Sequence, residues 1–141
     1  MKRKQRTEIL TAGAPDLAAA LAGDIIGRYQ VDLIEEPNHG LVMVKVRETA
    51  QQSLFYLGEV LVTECKVRTN GAIGIGIVKG DQPELAYNLA VIDAAYTAEL
   101  DETAAWTAAL LAEHERIQTV RNSEHMQVLK TRVDFETMDT D

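Results

Sequence analysis

The chain has a single cysteine, Cys65, among 141 residues. One thiol cannot close an internal disulfide. An iron–sulfur cluster takes about three or four cysteine ligands, so the chain alone cannot carry cluster chemistry. Positive charge is also short, with 14 basic against 22 acidic residues and a net charge of −8. A nucleic-acid binder would be expected to present a basic face, so that class is disfavoured. A solitary site for a highly phosphorylated substrate would need a local basic pocket to override the global charge. No N-terminal apolar stretch reads as a secretion signal, and no run approaches the roughly 18 apolar residues of a spanning helix. The expectation is a cytoplasmic protein that does not enter a membrane.

Constellations that carry chemistry are also missing. His114 and His125 fall on one face of a C-terminal helical stretch. Eleven residues separate them by about 16 Å along the axis, far beyond the reach of one metal ion with ligands near 2 Å. His39 sits among turn residues. Glu59 and Glu64 lie five apart in an extended segment and point to opposite faces, and Glu35 and Glu36 also diverge if extended. Neither pair resembles an acid–base dyad set across a cleft. Gly71-Ala72-Ile73-Gly74-Ile75-Gly76 imitates a phosphate loop only superficially, because it precedes no helix and lacks the lysine and hydroxyl that follow in such loops.

What is present fits one α+β domain spanning residues 1–141. Apolar residues make up 46% of the chain, enough to build a core of useful size. The early basics Lys2, Arg3, Lys4 and Arg6 read as a solvated, frayed N-terminus. Pro15 opens a helix whose Leu17, Leu21 and Ile25 form a buried stripe. A β-meander of about four strands follows. Val31–Ile34 is short and is closed by the turn residues Pro37-Asn38-His39-Gly40. Leu41–Arg47 alternates its side chains between two faces. A long strand runs from about Phe55 to Thr69. Asn70-Gly71 supplies the left-handed angles of a tight hairpin, and Ile73–Ile77 is the last strand.

Gly74 and Gly76 on that last strand mark a close approach, read here as a helix of the same chain packed tightly on the sheet. Cys65 reads as a buried structural thiol. Lys66 and Arg68 share the other face with Glu64 and form a candidate anion-binding pair, which cross-strand charge pairing explains equally well.

Two C-terminal helices close the chain. The first begins near Glu84, with Leu85, Leu89, Ile92 and Tyr96 as its core stripe. The second spans approximately residues 104–130. Its length of roughly 39 Å matches the roughly 37 Å diameter of a globule of this size, and its second half is mostly polar. Such a helix suits a surface on another chain. Residues 131–141 read as an extended tail, because Val133 and Phe135 alternate with Arg132, Asp134 and Glu136, a pattern suited to adding a strand to a partner. The expected partner interface comprises Ile117, Val120, Val128, Arg132, Val133, Asp134, Phe135 and Met138.

Two segments and the tail together resemble the PhnG family of phosphonate-metabolism proteins. They are Gly40-Leu41-Val42-Met43-Val44 and the run Phe55-Tyr56-Leu57-Gly58-Glu59-Val60-Leu61-Val62-Thr63-Glu64-Cys65-Lys66-Val67. Gly71, Gly74, Gly80 and Ala90-Val91-Ile92-Asp93-Ala94 follow in the same order, and Arg132-Val133-Asp134-Phe135 with Thr137-Met138 resembles the family's ending.

The resemblance implies an accessory subunit of the bacterial carbon–phosphorus lyase core complex, without a cofactor or a catalytic residue of its own. It implies packing against a PhnI-like subunit, with PhnH-, PhnJ- and PhnL-like subunits nearby. The implied reaction joins methylphosphonate to C1′ of ATP and releases adenine, giving ribose 1-methylphosphonate 5-triphosphate. Two alternatives remain from the residues themselves. One is a homo-oligomeric interaction module built on the last helix. The other is a small enzyme with a site at Glu64, Lys66 or Arg68.

Overall fold

A computed structural model describes the backbone of residues 1–139 and the side chains of residues 1–131. It contains α1 (Arg3–Ala12), α2 (Pro15–Ile26), β1 (Val31–Arg47), β2 (Leu54–Thr69), β3 (Ala72–Lys79), α3 (Pro83–Thr97) and α4 (Glu102–Asp139). The class is α+β, as expected: a three-stranded antiparallel sheet of order β1-β2-β3 with helices on one face.

The strand count is three rather than four. Val31–Ile34 and Leu41–Arg47 are two ends of one strand, β1. The register against β2 slips between Leu33 and Glu35 and again between Glu35 and Asn38, so the chain bulges without turning back. Pro37 is accommodated there because β1 is an edge strand and Pro37 has no ladder partner. Asn70 and Gly71 adopt φ of 49° and 80°, the left-handed pair that the hairpin requires.

The N-terminus is also more ordered than its charge implies. Residues Arg3–Ala12 form a helix that buries Ile9, Leu10 and Arg6. At the other end, α4 continues to Asp139 instead of giving way to an extended tail. No glycine or proline lies between Glu102 and Asp139, so nothing local stops the helix.

The core lies between the sheet and α3. On the inner face, Cys65 and Val67 of β2 stand opposite Gly76 and Gly74 of β3. Helix α3 lies directly over these glycines. A β-carbon on Gly76 would come within 2.1 Å of the Ala86 carbonyl oxygen. The backbones touch, as the alternating glycines predicted. Leu85, Ala86, Leu89, Ala90 and Ile92 complete the layer, and α1, α2 and the first turns of α4 pack behind it through Ile9, Leu21, Ile25, Trp106 and Leu110. Among the described residues, no helix is long and apolar enough to cross a membrane.

Candidate functional site

The outer face of the sheet holds the candidate anion pair. Lys66 Nζ lies 3.5 Å from Glu35 Oε2. Arg68 stands opposite Asp32 in the β1–β2 register and beside Ile73 of β3. Each cation faces a carboxylate-bearing residue across the sheet, and the surrounding face carries Ile73, Ile75 and Ile77, all exposed. Cross-strand charge pairing accounts for Lys66, whereas Asp32 accepts a hydrogen bond from Gln30 Nε2 at 3.0 Å. Glu64, on the same face, is opposite Asn38 and Ile77.

The histidines are dispersed. His39 Nε2 is 2.8 Å from Asp81 Oδ1 at the surface. His114 and His125 lie along the continuous helix α4. Among the described residues, no group of three or more His, Cys, Asp or Glu side chains gathers where a metal ion could sit. Cys65 is fully buried, and burial pushes its thiol pKa up, with Glu35 adding to the shift. That environment disfavours the thiolate a nucleophile needs.

The densest charge cluster is one that sequence reasoning missed. Asp93 of α3 is almost fully buried. It accepts hydrogen bonds from Arg3 Nε at 2.9 Å, from Arg3 Nη2, from Arg6 Nη2 at 3.4 Å, and from the Ile75 backbone N–H at 3.0 Å. One carboxylate thus ties α1 to α3 and β3. The Arg6 guanidinium also stacks 3.9 Å above the Tyr96 ring, whose edge meets Trp106 with centroids 5.8 Å apart. Burial lowers the Arg6 pKa, and Asp93 raises it by less, so the carboxylate offsets part of the desolvation of the buried cation. Arg3 and Arg6 are three apart on one helical turn, as a helix spacing would allow, but their partner is far along the chain.

The remaining carboxylates serve the helices. Glu102 at the start of α4 accepts from Tyr29 Oη at 3.0 Å and from Arg28 Nη1 at 3.2 Å. Glu113 accepts from Arg116 Nε at 3.0 Å and from the Ala14 N–H at 3.3 Å, and so caps the start of α2 from another helix. Between α1 and α4 runs an open cleft of about 450 Å³ lined by Gln5, Glu8, Thr11, His114, Gln118 and Arg121.

The expected partner-facing residues divide. Ile117 is turned inward and belongs to the core. After it, every residue from Gln118 to Thr131 is exposed, including Val120 and Val128. The side chains of Arg132, Val133, Asp134, Phe135 and Met138 lie outside those described. A second exposed apolar region was not anticipated. Residues 40–47 of β1 and 54–61 of β2 form a two-stranded arm beyond the end of β3. Leu41 is 64% exposed and Leu57 is 62% exposed.

The fold and these surfaces define a two-layer α+β protein whose main charge cluster braces helices and whose free surfaces are an apolar arm and a bare helix. The chain matches, over residues 1–139, the family described as "Phosphonate metabolism protein PhnG". It belongs to that family, and its role lies in phosphonate metabolism. A comparison with curated proteins gave no match.

Proposed function

We propose that this chain is the accessory subunit of the carbon–phosphorus lyase core complex. It supports the formation of ribose 1-methylphosphonate 5-triphosphate from ATP and methylphosphonate by binding a PhnI-like subunit, with PhnH-, PhnJ- and PhnL-like subunits in the same cytoplasmic assembly. Membership of the PhnG family supports this reading.

The observation that carries the subunit role is the bare stretch of α4. Helix α4 has 38 residues and a length of roughly 57 Å, well beyond the roughly 37 Å diameter of a globule of this size. From Gln118 to Thr131 every residue is exposed, and the stretch carries Val120, Met126, Val128 and Leu129 on its surface. A long helix in water gains most of its stability from packing an apolar stripe. This stretch spreads its apolar side chains around the helix and, among the described residues, buries none of them in its own chain.

Activity with ATP and methylphosphonate tests the reading. The pure chain is expected to release no adenine, and the PhnI-like subunit is expected to gain activity when this chain is added. Sustained adenine release by the pure chain would overturn it.

A further inference from the structure

The two-stranded arm leaves one line of backbone groups open. Strand β3 pairs with β2 only from Val62 to Thr69. At the end of that ladder the Gly80 N–H donates to the Leu61 carbonyl at 2.8 Å. Backbone groups of an antiparallel strand point alternately to its two neighbours. The N–H and C=O of Leu61 therefore point toward the β3 side, and so do those of Glu59. Among the described residues, no strand pairs with that side of Leu54–Val60. A strand added there would lie end to end with β3 and continue its line.

The side chains around this edge are apolar on both faces. Cross-strand partners share a face, so Leu41, Met43, Leu61 and Tyr56 project to the helix side, beyond the end of α3. Val42, Val46 and Phe55 project to the other. Leu57 occupies the bulge where the register slips between Val44 and Lys45. Nine large apolar side chains between Leu41 and Leu61 are exposed, each by about half. With full residue areas of roughly 150–200 Å² each, they offer on the order of 800 Å². A standard interface takes about 800 Å² from each partner. An isolated two-stranded ribbon is marginally stable in water at best.

We propose that the arm inserts into an apolar cleft of a different protein chain, which adds an extended segment along the free edge of Leu54–Val60. The two-sided distribution selects this occupant. A second copy pairing edge to edge would leave both faces in water, and a second copy stacked on the arm would cover only one. A cleft wraps both. Charge does not oppose insertion, because Lys45 and Arg47 balance Glu48 and Glu59 within an otherwise acidic chain. Strand addition supplies the backbone hydrogen bonds, and the alternating side chains supply selectivity. The inference rests on the reading of the chain as a subunit of an assembly.

The test is co-expression of the full chain with the PhnI-like subunit, comparing wild type, Leu57→Lys and Glu59→Pro. Glu59→Pro removes an N–H that faces the open edge, not β1, and a proline is tolerated on such an edge. Leu57→Lys changes an exposed side chain and leaves the core untouched, so it carries the test if the proline variant misfolds. Both variants should keep the wild-type melting temperature and bind at least 10-fold more weakly. In the wild-type complex the Glu59 amide should gain protection from hydrogen exchange. Wild-type binding by both variants overturns the arm as the docking element and leaves the subunit reading standing. Failure of the wild type itself to bind overturns the subunit reading and this inference with it. A homodimer of the pure chain that Leu57→Lys dissolves overturns the different-chain occupant.

Discussion

Gly74 lies so close beneath Ala90 that a β-carbon on the glycine would stand 2.0 Å from the Ala90 carbonyl oxygen and 2.3 Å from the Ala94 nitrogen. Strand β3 and helix α3 thus meet backbone to backbone, and neither atom can swing aside as a side-chain tip would. Gly74→Ala must lift α3 from the sheet. The expected cost exceeds about 4 kcal/mol, at the severe end for a single substitution. Gly58→Ala is the control, since nothing lies within 4 Å of its added carbon, and it should stay within about 0.5 kcal/mol of wild type. Urea unfolding of the two variants checks the pair. A stable Gly74→Ala protein would contradict the packing.

The Asp93 cluster makes a second prediction. Asp93→Asn keeps the side-chain shape and removes the charge facing the buried Arg6. Leaving a buried cation without its counter-ion should cost about 2–4 kcal/mol. Arg3→Ala removes a partner whose side chain is largely exposed, and should cost about 1 kcal/mol or less. Equal midpoints for the two variants in denaturant would show that Arg6 does not depend on Asp93.

Acid should loosen the helix starts. The pKa of Glu102 is lowered first by its own backbone N–H and then by Tyr29 and Arg28. That of Glu113 is lowered by Arg116 and by the Ala14 N–H. A carboxylate whose pKa is lower in the folded state stabilises that state above its unfolded value, roughly 4.3. The contribution is lost as pH falls from there through the lowered folded values. Thermal melts at pH 7 and at pH 3 should show a smaller acid-induced drop in Glu113→Gln than in wild type. An identical drop would remove Glu113 from the account.

Cys65 should resist thiol reagents. It is fully buried against Gly76, and burial disfavours its thiolate. A chromogenic disulfide reagent is expected to react with it only after guanidinium unfolds the chain. Cys65→Ser should cost about 1–3 kcal/mol, because it places a hydroxyl among apolar neighbours. Rapid labelling of the folded protein would contradict this.

Local residue chemistry made much of the fold legible. Pro15 and the spacing of Leu17, Leu21 and Ile25 mark α2; Asn70-Gly71 marks the hairpin; Gly74 and Gly76 mark the seat of a helix. Two of the misreadings share one cause, a partner elsewhere in the chain. Pro37 and Gly40 carry turn chemistry, but the strand bulged at that point because β2 offers an unbroken ladder on its other side. Arg3 and Arg6 look like a solvated run until Asp93, far along the chain, gives them a partner. Val133 and Phe135 alternate as a strand would, yet with no breaker after Glu102 the backbone remains helical to Asp139.

The sequence by itself determined the class, the close approach at the glycines and the family to which the chain belongs, because these rest on residue types acting at their own positions. Only the tertiary structure decided which surfaces are left bare. Ile117 is core while Val120, three residues further along the same helix, faces solvent. The strand that pairs β2 through its second half stops at Lys79 and leaves the first half open. Burial and edge exposure depend on what other elements reach a residue, and no local pattern carries that information.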